Sequence, residues 1–314
     1  MQVPTSRSKR RVLAACLAVS ALVASGCKDE RPAAQPARPP LARPPAPAVP
    51  AAATAPADGP FVDWHDEART QKKAEGAYRA GRAVGPWTFW YPSGRVRATG
   101  SYADGEMDGT WIEYHPSGAK RSETTLKEGR ITGQLTIWFE SGRVESVGTY
   151  ENGQRSGLWT EFHADGKKRR EGRYVDDLQD GPWSTWHPDG RLQSEAHYER
   201  GTPVGTWKSW TAEGRPESEA NYRDGSSHGP ATIWHPNGQI AAQIEYRDGK
   251  ADGEWREWYP DGQLARAGRY AAGKRQGPWQ YFQADGTPDA EQSGDYQDDV
   301  LVPSAGGGGG EEPR

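Results

Sequence analysis

Cysteine is almost missing from this 314-residue chain. There are two, Cys16 and Cys27, and none in the 287 residues that follow. The bulk of the chain therefore has no internal disulfide to staple it, whatever the redox state of its compartment, and has no thiolate for catalysis or metal binding. Long apolar runs are also missing. Val12 to Ala24 is the best, 13 residues apolar but for Cys16 and Ser20. A bilayer-spanning helix needs about 20. Excess positive charge is absent too, with 39 Lys and Arg against 43 Asp and Glu. A groove for nucleic acid is strongly basic because phosphates supply most of the affinity, so nucleic acid is excluded as an expected partner.

Residues 1–26 read as a processing signal. Arg7, Lys9, Arg10 and Arg11 form a basic start, and the 13-residue segment suits a signal core. Val23-Ala24-Ser25-Gly26-Cys27 resembles a bacterial lipobox, with Ala24 where such boxes usually carry Leu. The resemblance implies cleavage before Cys27 and a diacylglycerol on its thiol; the other reading is a plain secretory signal. Removal of the leader takes four of the 39 basic residues and no acid, leaving a net charge of −8. Residues 27–60 form a tether, since Arg31 to Pro60 holds 10 prolines and 11 alanines without periodicity. Extended at about 3.1 Å per residue, it reaches about 90 Å. A lipid on Cys27, with no Asp directly after it, implies an anchored envelope protein, in the outer membrane if the cell is Gram-negative. Residues 298–314, with Gly306 to Gly310, are expected to be a disordered tail.

Between tether and tail, 61–297, the chain repeats every 24 residues. Tyr78, Tyr102, Tyr150, Tyr174, Tyr198, Tyr222, Tyr246 and Tyr270 share one grid, with Leu126 in the missing place. Gly85 to Gly277 and Gly94 to Gly286 follow two more grids at the same interval. Such a period is itself an architecture. Pro92-Ser93-Gly94, Pro188-Asp189-Gly190 and Pro236-Asn237-Gly238 are turn signals between short aromatic-rich segments. A second turn around Asp104-Gly105-Glu-Met-Asp108-Gly109 leads into the next unit. Each unit predicts a β-hairpin, and nine hairpins predict an all-β, elongated single-layer antiparallel sheet of about 18 strands, roughly 85 Å long. The segment from Trp64 to Gly76 reads as an incomplete starting hairpin.

Alternation predicts the faces. Val96, Val144, Leu192, Ile240 and Leu264 share parity with the tyrosines and are expected on the buried face. Arg97, Arg121, Glu145, Arg169, Glu195, Glu219 and Gln243 are expected on the wet face. Two aromatic columns stand three residues apart. One is Trp87, Trp111, Trp159, Trp183, Trp207, Trp255 and Trp279. The other includes Trp90, Tyr114, Trp138, Trp186, Trp210, Trp234 and Trp258. Three residues apart on a regular strand means opposite faces. Either a bulge rotates one column or both faces carry aromatics.

The pattern Gly-x-Trp-x-x-Trp/Tyr-x-Pro-x-Gly, followed by Tyr-x-x-Gly-x-x-x-Gly, resembles the bacterial variant of the MORN repeat. It is similar to proteins of the YwqK-like antitoxin family. The resemblance implies single-layer sheets of hairpins and a role in membrane attachment, scaffolding or neutralisation of a toxin. It implies no catalytic residue. The chain departs from the pattern at Leu126, Leu135 and Ala231.

His115, His163, His187 and His235 occupy one repeat position. Equivalent residues in adjacent hairpins lie about 9.6 Å apart, far beyond the ~2 Å reach of a zinc ligand, so they are expected to flank turns. Asp104 with Asp108, and Asp248 with Asp252, fit turn chemistry better than calcium loops. Nothing breaks the repeat in the way a nucleophile with its base would. No catalytic, metal or cofactor site is expected. The expected function is an envelope-anchored binding or scaffolding module with a protein partner. A cell-wall saccharide and a toxin are the other candidate partners, and the candidate surface is the Trp90 column.

Overall fold

The computed structural model describes residues 58–303. The expected signal sequence, Cys27, almost all of the tether and most of the tail lie outside them. The strands are β1 (Gly59–Trp64), β2 (Lys72–Arg79), β3 (Arg82–Trp90), β4 (Val96–Ala103), β5 (Glu106–Tyr114), β6 (Lys120–Lys127), β7 (Arg130–Trp138), β8 (Val144–Glu151), β9 (Gln154–Phe162), β10 (Lys168–Val175), β11 (Leu178–Trp186) and β12 (Leu192–Glu199). They continue with β13 (Thr202–Trp210), β14 (Pro216–Arg223), β15 (Ser226–Trp234), β16 (Ile240–Arg247), β17 (Lys250–Trp258), β18 (Leu264–Ala271), β19 (Lys274–Tyr281), β20 (Gly294–Gln297) and β21 (Val300–Leu301). Two compact units divide the chain. Among the described residues the first holds 58–193 and 198–202, and the second 194–197 and 203–303.

In the first unit β1 to β11 pair with their sequence neighbours, antiparallel throughout. In the second, β13 to β21 do the same. Each unit is thus an open single layer of hairpins, as the repeat predicts. The starting hairpin is larger than expected: β1 begins at Gly59 and takes in Pro60, at the end of the expected tether. At the other end, Val300 pairs with Gln297, so strand structure continues inside the segment expected to be a disordered tail.

Two turns alternate. At one edge two residues close each connection, as Asp104 (φ 54°) and Gly105 (φ 88°) do between the paired Ala103 and Glu106. Both central residues at positive φ is the hairpin turn whose twist matches the strands. Sequence reasoning drew this turn too long, because Gly109 stands inside β5. The N–H of Gly105 also donates to Ala83 O of the preceding hairpin at 2.9 Å, and Gly129 does the same to Met107 O. Asp177 (φ 66°) and Asp299 (φ 72°) take the glycine place; the Asp177 carboxylate accepts from Arg155 N at 3.0 Å and Nε at 2.8 Å, and that of Asp299 from Arg275 N at 2.9 Å and Nε at 3.1 Å. At the opposite edge Gly94 N donates to Tyr91 O, and Arg95 Nη1 reaches Pro116 O of the next turn at 2.9 Å.

The core is one face of the layer. Tyr78, Trp87, Tyr102 and Trp111 form an edge-to-face series with centroids 5.3, 5.7 and 5.2 Å apart. Tyr150, Trp159, Tyr174 and Trp183 form another. Each such contact adds about 0.5–1.5 kcal/mol to simple burial. What allows the indoles to lie flat is a glycine in the strand before. A Cβ on Gly76, Gly100, Gly148, Gly172 or Gly268 would sit 2.1–2.2 Å from the ring of Trp87, Trp111, Trp159, Trp183 or Trp279. From that position Trp111, Trp159, Trp183 and Trp279 donate Nε1 to the carbonyls of Ser101, Thr149, Arg173 and Arg269 at 3.1–3.2 Å. Where the glycine is replaced, its partner changes at two places, while Ala196 keeps Trp207, which is half-buried and donates Nε1 to His197 O at 3.3 Å. Thr124 faces Leu135, and Ala220 faces Ala231. Ile244 faces Trp255, whose Nε1 bonds Glu257 Oε1 at 2.9 Å instead of a carbonyl.

The two faces need one correction. Trp90 pairs with Val96 while Phe89 pairs with Ala98, so Arg97 is an extra residue in a bulge. The same shift recurs at Trp138 with Val144, Trp234 with Ile240 and Trp258 with Leu264. A bulge reverses the alternation behind it. The Val96 column therefore stands beside Trp90, opposite the tyrosines. Arg97 turns onto the core face, 5.7 Å from the Phe89 ring centroid, and Arg169 pairs there with Glu161 at 2.6 Å.

Candidate functional site

Both faces carry aromatics. All of the Trp87 column but Trp207, which is half-buried, is consumed by the core, with Trp87 at 1% exposure and Trp111 at 3%. The Trp90 column lies on the other face. Trp90, Tyr114, Trp138, Trp186, Trp210, Trp234 and Trp258 are all half-buried, none fully buried. The bulge places each beside the first residue of the next strand: Trp90 by Val96, Tyr114 by Lys120, Trp138 by Val144. Lysines of the preceding strand lean over the rings, Lys72 over Trp90 and Lys120 over Trp138 at 5.8 Å, and Lys168 over Trp186 at 5.7 Å. Each lysine is held by a carboxylate three residues on, Glu75, Glu123 and Glu171, at 2.7–2.9 Å. These pairs are exposed, so a ligand displaces them at little cost. In the first unit the result is a row that alternates aromatic rings with valine or lysine. A shallow groove along it is lined by Val96, Thr99 and Tyr114 with Arg95, Ser117 and Gly118.

The histidines flank the turns and tie units together. Nε2 of His115, His163 and His235 donates to the carbonyls of Trp138, Trp186 and Trp258, 23 residues on, at 2.8–2.9 Å. Tyr91 and Tyr259 use their hydroxyls in the same way on Tyr114 and Phe282. Carbonyl-bound Nε2 offers no lone pair to a metal. Among the described residues no three of His, Cys, Asp and Glu gather where an ion would sit. Asp104 and Asp248 are instead turn residues that pair with Arg82 and Arg223.

The polar residues on the core face are structural. Glu257, at 7% exposure, takes Nε and Nη2 of Arg266 at 2.8 and 2.6 Å. Burial alone would lower the Arg266 pKa, but the hydrogen bonds and charge of Glu257 raise it. Burial pushes Tyr102 and Tyr270 up to about 12. None of these groups opens onto the outer row. Sequence reasoning did not find the Glu257–Arg266 pair. Its signal is weak, because the repeat position of Glu257 holds Phe89, Ile137 and Ile233 in some units but Glu113 and Glu161 in others.

No curated protein matches the chain. Solved structures that it resembles include a crystal structure of TcdB2-TccC3, at 12% identity over 67% of this chain and 14% of that one, with a TM-score of 0.18. Another is the Photorhabdus luminescens Tc holotoxin pore, at 11% identity over 69% and 15%, with a TM-score of 0.15. The chain thus spans about a seventh of those chains, and likenesses this slight bear on neither fold nor function. The family model described as the MORN repeat variant matches residues 107–128, 155–176, 179–200, 227–248 and 251–272. Each match runs from one aromatic-rich strand through the Pro-x-Gly-type turn and the return strand, so over these five hairpins the chain is similar to the MORN repeat variant.

Proposed function

We propose that this protein is an exported, non-catalytic binding module, lipidated at Cys27 and held off an envelope membrane by its Pro/Ala-rich tether. A protein partner docks on the outer aromatic row. The observation that carries this is the division of labour between faces: one column of rings makes the core, and the Trp90 column, not needed there, stays half-exposed at every repeat. Regular weak contacts of this kind bind by avidity. In-cell crosslinking and pull-down tests it, beside co-sedimentation with purified wall. Capture of one defined protein, lost on Trp138→Ser with Trp186→Ser, supports the reading. Sedimentation with wall lost on the same substitutions would replace the protein partner by a saccharide. A captured toxin would make the module an antitoxin. Cys27→Ser should release the protein from membranes while Cys16→Ser leaves it there; membrane retention of Cys27→Ser would refute the anchor.

A further inference from the structure

The outer row changes character along the chain. In the first unit the position that opens each return strand alternates valine with lysine: Val96, Lys120, Val144, Lys168. In the second unit the same position holds Pro216, Ile240 and Leu264, without charge. The row there runs Trp210, Pro216, Trp234, Ile240, Trp258, Leu264, one residue from each of β13 to β18 in order. Rings stand on β13, β15 and β17, and aliphatic groups on the strands between. Five of the six are half-buried, and Pro216 is exposed. Phe282, next in line, is bridged to Pro288 of its own chain. A contiguous apolar strip of this kind marks an interaction surface.

The strip is complementary to itself. A twofold axis along the strands, between β15 and β16, sets a second copy face to face with the row reversed. Trp210 then meets Leu264 of the second copy, Trp258 meets Pro216, and Trp234 meets Ile240, so every ring faces an aliphatic group. The next ladder inward on the same face is Lys208, Glu219, Thr232, Gln243, Arg256 and Ala267. Reversed onto itself, it sets Glu219 against Arg256 and Thr232 against Gln243. Moving the axis onto β15 would set rings on rings and Lys208 against Arg256. Within one copy Lys208 holds Glu219 at 3.5 Å and Arg256 holds Glu254 at 2.7 Å. These exposed pairs exchange partners at little cost. Both layers twist in the same hand, and the twofold axis carries the twist of one onto the other. Their strands therefore stay within the about 30° that packed sheets keep. Six strands of 8 or 9 residues present a face of about 29 by 28 Å, or about 800 Å², the share of one partner in a standard interface.

We infer that the outer face of β13–β18 is a homodimer interface, closed by the same face of a second copy. This rests on the outer row being a binding surface, as proposed above, and not on the lipid or the outside partner. In the first unit a packed sheet would bury Lys120 and Lys168, at a cost that their exposed glutamate pairs do not repay. The lysine-bearing stretch is left for the outside partner, and the dimer offers it twice, which adds avidity.

The test measures mass by light scattering and sedimentation on the full chain, with Cys27→Ser in every sample so that no acyl chain drives association. A dimer is expected. Ile240→Lys with Gln243→Glu copies Lys120 and Glu123, a pair the fold already carries, and should weaken the dimer about tenfold or more. Glu219→Arg or Arg256→Glu alone should weaken it about tenfold, and the two together should restore it to within about threefold. Trp138→Ser with Trp186→Ser should leave it intact. A monomer at about 100 μM, a dimer that survives Ile240→Lys with Gln243→Glu, a charge swap no better than its single variants, or a dimer lost with Trp138→Ser and Trp186→Ser overturns the inference. If the chain is monomeric while Trp138→Ser with Trp186→Ser still abolishes partner capture, the proposed function stands and the dimer alone is refuted.

Discussion

Gly100→Ala is a small change with a large predicted cost. The new Cβ would stand 2.2 Å from Cδ2 and Cε2 of Trp111, over 1 Å inside ordinary contact. Trp111 cannot retreat freely: it is 3% exposed, edge-on to Tyr102 at 5.2 Å, and bonded through Nε1 to Ser101 O at 3.1 Å. Overpacking costs about 1–3 kcal/mol, and an indole N–H pulled from its carbonyl about 1 kcal/mol more. The total is about 2–4 kcal/mol. Trp111→Leu alone should cost about 2–3 kcal/mol through lost burial. The double variant should cost little more than Trp111→Leu, because no indole remains for the added methyl group to strike. A coupling of about 2 kcal/mol follows. The chain already holds compensated versions, Thr124 with Leu135 and Ala220 with Ala231. Urea unfolding of the intact chain reads the cycle. Hydrogen exchange across β4 and β5 localises it, since repeats need not unfold together. Effects additive within about 0.5 kcal/mol would refute the glycine–indole pairing.

Gly181→Val, at φ 79°, should cost about 2 kcal/mol or more, whereas Glu195→Gln should stay within about 0.5 kcal/mol; equal midpoint shifts would contradict the backbone assignment. Glu257→Ala should cost about 3 kcal/mol by leaving Arg266 charged and half-buried without its partner. Glu257→Ile with Arg266→Ala, which copies the neighbouring Ile233 and Ala242 pair, should recover most of that loss in thermal melts. Because Tyr102 and Tyr270 titrate near 12 in the fold and near 10 in an open chain, the stability they contribute is intact below pH 10. It falls as pH rises toward 12, and the part of the tyrosinate absorbance that Tyr102→Phe with Tyr270→Phe removes should appear together with loss of β structure. That part rising well before unfolding would contradict the burial.

The repeat, the hairpins and their order were legible because three residue grids stay in phase with turns that demand particular backbone angles. What resisted was the assignment of faces. Parity placed Val96 with the tyrosines and Arg97 in water, yet the bulge at Arg97 exchanges them. A bulge is set by register with the partner strand, which no single strand's alternation records. Which aromatic column is outside follows from the regular part of the same pairing, where Trp87 stands opposite Gly100 on the tyrosine face and Trp90, three residues on, faces the other way. The glycines two places before five of the tyrosines, Gly76, Gly100, Gly148, Gly172 and Gly268, look like any glycine in a strand until the ring above them is known. The Trp90 column could be named as a candidate surface, but only the paired register turns it into one row with Val96 and Lys120.

The central claim, that the outer row binds while the inner face only folds, is tested most directly by partner capture. Intact protein would carry either Trp138→Ser with Trp186→Ser or, as the inner-face control, Glu257→Ile with Arg266→Ala. Fold would be verified by circular dichroism and exchange protection. Loss of the captured partner with the first pair, at unchanged protection, and retention with the second is the predicted result. Capture that survives the outer pair, or falls equally with both, would contradict the account.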